Sequence, residues 1–216
     1  MYLLAPQLAL NHSNTNTMKN NIYNSDDIFF TSDTHWYHSN IINFCARPFI
    51  DSKTMNIELV ENWNKVVPED ATVFHLGDFA FTGNIGYIKK LTEKLNGNIV
   101  LIMGNHDHQN KFYRDSVKEL FTLVKDYLYI HVNDNEIEGG QNIFLCHYPM
   151  LSWNGSVRGS WQLFGHIHSG PNSIASERNI VTTPAQYDVG VDNNNFTPIS
   201  YNEVKTIITR QYLKIK

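Results

Sequence analysis

The sequence predicts an α/β domain. Short apolar runs recur at 27–31, 71–76, 98–103, 142–146 and 161–164, and each reads as a buried strand. Stretches with helical periodicity, 54–67 and 84–95, separate the early runs, and another closes the chain. Each run ends in a chemically rich cluster: Asp33-Thr34-His35, Gly77-Asp78, Gly104-Asn105-His106-Asp107, His147, and Gly165-His166-Ile167-His168. The C-terminal edges of such strands are where open α/β sheets bind ligands.

Taken in order, Asp27–Thr31 should be the first strand, and strand alternation would point Asp33 and His35 the same way. The following loop and short helix bring His38, Asn40 and Arg47, candidates to contact a phosphate. Arg suits that role through its planar fork. The competing reading makes Asn40 a helix cap and Arg47 a surface charge. Met55, Leu59, Trp63, Val66 and Val67 mark the helix over 54–67, which Pro68 stops. The strand at 71–76 carries His75, read as a packed residue rather than a ligand. Gly77 lets the chain carrying Asp78 approach a centre closely.

Ile85, Ile88, Leu91 and Leu95 form one face of the helix over 84–95, closed by Gly97. The strand at 98–103 turns out at Gly104. There Asn105 offers a neutral oxygen, His106 exchanges a proton near neutrality, and Asp107 is placed to orient that His. A helix is expected over 111–120, one or two strands over 121–132, and a turn at Gly139-Gly140. The strand at 142–146 delivers His147 and should turn Cys146 into the core. The strand at 161–164 delivers His166 and His168, expected to share a face. Tyr187–Asp192 reads as a late strand. Ser200 and Glu203 form a capping box for a last helix bearing Val204, Ile207, Ile208 and Leu213.

Composition bounds the function. The chain has 216 residues, 42% hydrophobic and 18% charged, as expected for one globular domain. A formal net charge of −4 excludes a broadly basic nucleic-acid surface. Cys45 and Cys146 are the two cysteines, with no Cys-x-x-Cys pair, which argues against a zinc ribbon or a disulfide framework and for a cytoplasmic protein. No apolar run reaches membrane-span length. Met1–Leu10 is apolar but lacks the positive region of a signal peptide. Residues 1–24 are expected to be a disordered extension, with Met18 the natural start and a single domain over 25–216.

In chain order the five blocks resemble the calcineurin-like metallophosphoesterase pattern: Asp-x-His, Gly-Asp, Gly-Asn-His-Asp/Glu, His, Gly-His-x-His. The resemblance runs from about Asp27 to about Asp192. His38-x-Asn40-Ile-Ile and Arg47-Pro-Phe are similar to a bacterial and phage branch, in which the later Val-Gly-Val-Asp, here 189–192, is usually framework. The resemblance implies a sandwich of two mixed β-sheets flanked by helices. It also implies two divalent metal ions, one held by Asp33, His35, Asp78 and His168, the other by Asp78, Asn105, His147 and His166, with Asp78 bridging. Nitrogen and oxygen donors suit Mn, Fe, Zn or Ni, and Mn is expected to support activity in vitro. The implied reaction is hydrolysis of a phosphate ester by a metal-bridging hydroxide, with His106 as general acid and Asp107 holding its tautomer. A small nucleotide-like phosphodiester is the favoured substrate, and Trp36, Tyr37, Tyr148 and Trp153 are available to stack bases. The alternatives are a phosphomonoesterase, a metal-dependent nuclease, or a catalytically silent protein-binding scaffold, a role this fold fills in a retromer subunit. Neither a membrane nor a long duplex nucleic acid is an expected partner.

Overall fold

In the computed structural model, residues 21–108, 117–170 and 182–214 are described. Among these residues ten strands form two five-stranded sheets. The first holds β1 (Ile22–Asn24), β6 (Tyr127–Asn133), β7 (Gln141–Cys146), β8 (Trp161–Phe164) and β9 (Gln186–Asp188), in that order. The second holds β10 (Ile199–Ser200), β2 (Ile28–Thr31), β3 (Thr72–His75), β4 (Asn98–Ile102) and β5 (Leu123–Lys125). Strands β2 to β5 run parallel, as do β7 to β9. The β6–β7 and β10–β2 pairs are antiparallel, so both sheets are mixed.

Alternation along the strands builds the layers. Ile28, Phe30, Phe74, Val100 and Ile102 face Leu128, Ile130, Ile143, Leu145 and Leu163 of the other sheet, forming the inner core. Val73, Ile99 and Leu101 point the other way, onto helices. There α2 (Ser52–Val66) buries Met55, Leu59 and Trp63, spaced one turn apart, and α3 (Ile85–Thr92) buries Ile88 and Leu91. The Asp51 carboxylate accepts from the Thr54 amide at 2.7 Å, which starts α2 two residues before the position expected from periodicity. Asn84 caps α3 in the same way. The expected capping box at Ser200 and Glu203 is formed, and it opens α5 (Tyr201–Leu213). Two shorter helices, α1 (Ser39–Phe44) and the single turn α4 (Asn105–His108), lie next to the strand ends.

The departures from expectation have local causes. Ile22–Asn24 are not part of an unstructured extension. They pair in parallel with His131–Asn133, and Tyr23 is buried, so the domain begins before residue 25. The β-rich stretch after Phe121 is two strands in different sheets, with the chain crossing over at Asp126. Cys146 is half-buried rather than core, because the inward positions of β7 are Gln141, Ile143 and Leu145. Of the helix expected over 111–120, residues 109–116 lie outside the described residues, and Lys118–Leu120 form a 3₁₀ turn. The expectations for residues 1–20, including a start at Met18, also lie outside them. Among the described residues no helix is long and apolar enough to cross a membrane.

Candidate metal centre

The C-terminal ends of β2, β3, β4, β7 and β8 meet where the two sheets adjoin. The loop after β2 runs beside the loop after β3, with Asp33 N–H on Gly77 O at 2.9 Å and His35 N–H on Asp78 O at 3.0 Å. The His166 N–H donates to Asp33 Oδ2 at 2.9 Å, and this ties the sheets together at the site.

Strand alternation does not aim these side chains. Strand β2 ends at Thr31, and Asp33 and His35 adopt left-handed backbone with φ of 56° and 49°. Asp78, His166 and His168 do the same, at 52°, 72° and 48°. Positive φ is uncommon for residues with a Cβ and persists where surrounding structure enforces it, typically at functional sites. The convergence of Asp33 and His35 therefore arises from a curled loop, and the face expected to be shared by His166 and His168 is not formed: the two fall in different donor groups. Gly77 and Gly104 make the curl possible. A Cβ on Gly77 would lie 2.6 Å from the Gly104 amide nitrogen and from His147 Nδ1, and one on Gly104 would collide with the Asp78 carboxylate.

Among the described residues four overlapping groups of donors could each hold a metal ion: Asp33, His35 and His168; Asp78, His147 and His166; His35, Asp78 and His106; and Cys45, His168 and Asp192. The first two make the two halves of the centre. Asp78 Oδ2 sits between them, 3.5 Å from His35 Nε2, 3.6 Å from His147 Nε2 and 3.9 Å from His106 Nε2. Ligands about 2.0–2.2 Å from one ion are spaced on this scale. The tautomers agree. His147 Nδ1 donates to Leu76 O at 2.7 Å, so its bare Nε2 faces Asn105 Oδ1 at 3.1 Å. Two lone pairs then share one space, an arrangement that a cation relieves. His168 Nδ1 binds Asp192 Oδ2 at 2.7 Å, leaving Nε2 3.8 Å from Asp33 Oδ1. Asp33 Oδ1 and His35 Nε2 are buried without any hydrogen-bond partner. Orphaned buried oxygen and nitrogen donors are what a divalent ion would satisfy, so the residues fit one.

Charge follows burial and pairing. Burial pushes the Asp33 and Asp78 carboxyls upward. Burial holds His35 and His147 below the usual imidazole range, keeping them neutral as ligands must be. Burial also opposes a charge on His168, but Asp33 and the Asp192 hydrogen bond outweigh it and lift the group to about 11.

The remaining predicted site residues are placed differently. Asp107 does not hold His106. Its fully buried carboxylate accepts the amides of Asp78, Gly104 and Phe79 at 2.7, 2.9 and 3.1 Å, and burial pushes it up to about 7. His106 Nδ1 has no hydrogen-bond partner, and its side chain is 27% exposed. Arg47 is neither a surface charge nor free for a phosphate. It donates to both Asp192 oxygens at 2.8 Å, to the carbonyls of Asp33 and Thr34, and to Met55 Sδ. Asn40 is exposed and does not cap α1; His38 occupies the cap position with no side-chain bond. His38 itself is buried at the site, its Nδ1 3.4 Å from His35 Nδ1. Burial, then the nearby His106 and Arg47 charges, pulls it down to about 4. His75 is packed as expected, bonded to the Thr34 hydroxyl at 2.9 Å.

Sequence reasoning missed Asp192, the partner of His168 and Arg47, and Asp188, which accepts Ser169 and Gly190 amides. Asp192 closes the short apolar run Val189-Gly-Val191, and that was the available signal; Asp188 carried none.

Residues 27–180 match the calcineurin-like phosphoesterase family. The chain belongs to that family. An uncharacterized protein of Methanocaldococcus jannaschii is 32% identical over 184 residues, which cover 85% of this chain and 92% of that protein. The Gene 66 protein of Mycobacterium phage D29 is 30% identical over 185 residues, covering 77% of this chain and 88% of its own. A solved protein of unknown function from Aquifex aeolicus aligns with a TM-score of 0.61 at 27% identity, over 83% of this chain and 98% of its own. Family membership makes phosphoric ester hydrolysis the chemistry to which this centre is to be fitted, and divalent ions are typical of the family.

Proposed function

We propose that this chain is a binuclear-metal-dependent phosphoesterase that prefers phosphodiesters of small, nucleotide-like alcohols. The observation that carries this reading is the convergence of unprotonated or unpartnered donors around Asp78 Oδ2. Asp33, His35, His168 and Asp78 would hold one ion; Asp78, Asn105, His147 and His166 would hold the other. Bound there, two divalent ions polarise the phosphoryl group, activate water and clamp the attacking and leaving oxygens of an in-line displacement.

The chain's own residues supply the rest. His106 Nε2 stands 3.9 Å from Asp78 Oδ2 on a partly exposed ring, so it meets both the centre and solvent. Its part is to hold a proton for the departing alkoxide, a contribution of about 10²–10⁴-fold. Asp107 fixes the backbone that presents Asp78 and Gly104. Preference for a diester is supported by Arg47, whose donors are all committed inside the protein. Arg47 therefore has no free donor for a monoester's second negative charge.

The test is hydrolysis of bis(4-nitrophenyl) phosphate against 4-nitrophenyl phosphate by metal-stripped protein with and without Mn²⁺. Mn²⁺-dependent turnover of the diester with little of the monoester is expected. Monoester preference would replace the diesterase reading with a phosphatase, and absence of turnover with both ions bound would leave a binding scaffold. A second test separates the role of His106. His106→Ala should slow alkyl esters more than esters with an activated leaving group, and equal losses would remove the general-acid role.

A further inference from the structure

The mouth of the centre carries aromatic rings that the catalytic scheme does not use. Of the four rings expected to stack on a substrate, Trp36 and Trp153 are buried. Tyr37 is half-buried, its hydroxyl on the Tyr87 carbonyl. The fourth, Tyr148, remains open at the site, as does Phe81, which the sequence did not mark. Phe81, in the loop after β3, stacks on His38 with centroids 4.1 Å apart at 17°, and meets His106 edge-on at 5.4 Å. It is 47% exposed. Tyr148 follows β7, meets His147 and His166 edge-on at 4.9 and 4.7 Å, and is 42% exposed. Single exposed apolar residues need no explanation. These two rings differ because site histidines brace each of them while a large area stays uncovered. The apolar surface also continues past both, through Phe44 beside His38 and through Met150 and Leu151 beyond Tyr148. Apolar walls around a few convergent polar groups are the usual build of a small-molecule site.

We propose that Phe81 and Tyr148 bind the two substituents of the substrate, which is a phosphodiester bearing flat, uncharged rings: the leaving alcohol packs on Phe81 and the retained group on Tyr148. This assignment rests on the phosphodiesterase reading above. It follows from which histidines each ring touches. Water adds to phosphorus, the bond to the leaving oxygen breaks, and that oxygen takes its proton from His106, so the leaving substituent lies on the Phe81 side. The retained ester is directed toward the His147 and His166 side, where Tyr148 stands.

The Mn²⁺-loaded protein tests this with two substrate pairs. Phenyl methyl phosphate and hexafluoroisopropyl methyl phosphate differ in whether the leaving group has a ring, at similar acidity. 4-Nitrophenyl phenyl phosphate and 4-nitrophenyl methyl phosphate share a leaving group and differ in the retained one. Phe81→Ala should lower the first kcat/KM ratio about tenfold and move the second less than about twofold, and Tyr148→Ala should do the reverse. Phe81→Trp keeps a ring and should keep the first ratio, while Tyr212→Ala, an exposed ring on α5, should move neither. Both ratios moving together in each variant, or neither moving, overturns the proposal while leaving the phosphodiesterase reading intact. No turnover of any diester by the wild type overturns both.

Discussion

The Asp33 half of the centre and the Asp78 half are braced by different means. Behind His168 and Asp33 stands a buried ion pair, Arg47 with Asp192, in which one guanidinium also binds the carbonyls of Asp33 and Thr34. Behind Asp78 and His147 stand backbone contacts: three amides on Asp107, and the Leu76 carbonyl on His147. The first brace joins side-chain charges 145 residues apart in sequence, and the second joins side chains to main-chain groups 3 to 71 residues away. The first half should therefore lose metal when a charge is removed. The second should lose its shape when an acceptor is removed.

The largest expected effect falls on the backbone-braced half. Asp107→Ala leaves three buried amides without an acceptor, each worth about 1–3 kcal/mol, so a loss of roughly 3–9 kcal/mol in urea unfolding is expected. A loss below about 1 kcal/mol would show that those amides find other partners. Next comes Arg47→Met, which strands Asp192 in a buried site and should cost about 3–5 kcal/mol. If Arg47 instead bound substrate phosphate, stability would hold and KM would rise.

Asp192→Asn separates the halves most directly. It keeps the size of the side chain and weakens the bond that orients His168. Loss of such a partner lowers metal affinity about 10–100-fold. Under limiting metal, the ion content of Asp192→Asn should fall from two toward one per chain, and Asp107-dependent stability should persist. Equal weakening of both ions would mean that the halves are not independently braced.

This contrast also explains what could be read from the sequence. The strands were legible because β2, β3, β4, β7 and β8 are mostly apolar runs, and the ligand clusters because each closes such a run. How the ligands are aimed was not legible. Alternation predicts a shared face for Asp33 and His35, but the left-handed φ of both residues arises from contacts with the loop at Gly77 and Asp78, far away in sequence. The Arg47–Asp192 pair was hidden for the same reason: neither residue names its partner. Asp107 was assigned to its neighbour His106 because adjacency in sequence suggests a pair, whereas a one-turn helix points its carboxylate back at the amides of Gly104 and the β3 loop. Phe81 carried no motif, and only its contact with His38 and His106 marks it.

The smallest effect is expected from an ion pair outside the centre, which calibrates the other two. Lys205 on α5 donates to both Asp134 oxygens at 3.0 and 2.8 Å, and the Tyr201 hydroxyl donates to the same carboxylate at 2.7 Å. Burial opposes the charge on Asp134, but Lys205 outweighs it and holds the carboxyl below its ordinary range. A depressed acid stabilises the fold above its unfolded value of about 3.9, and that contribution is lost as pH falls through the lower folded value. Lys205→Met should cost at most about 1 kcal/mol at pH 7, because the Lys205 end of the pair is partly open to solvent and the Asp134 carboxylate keeps the Glu136 amide and the Tyr201 hydroxyl as donors. The gap between variant and wild type in urea unfolding should close as pH drops below about 4, and at pH 7 the variant should bind as much metal as the wild type. A cost as large as that of Arg47→Met would mean that the brace at the centre is no stronger than an ordinary ion pair. Its distinction would then lie in what it positions rather than in how firmly it holds.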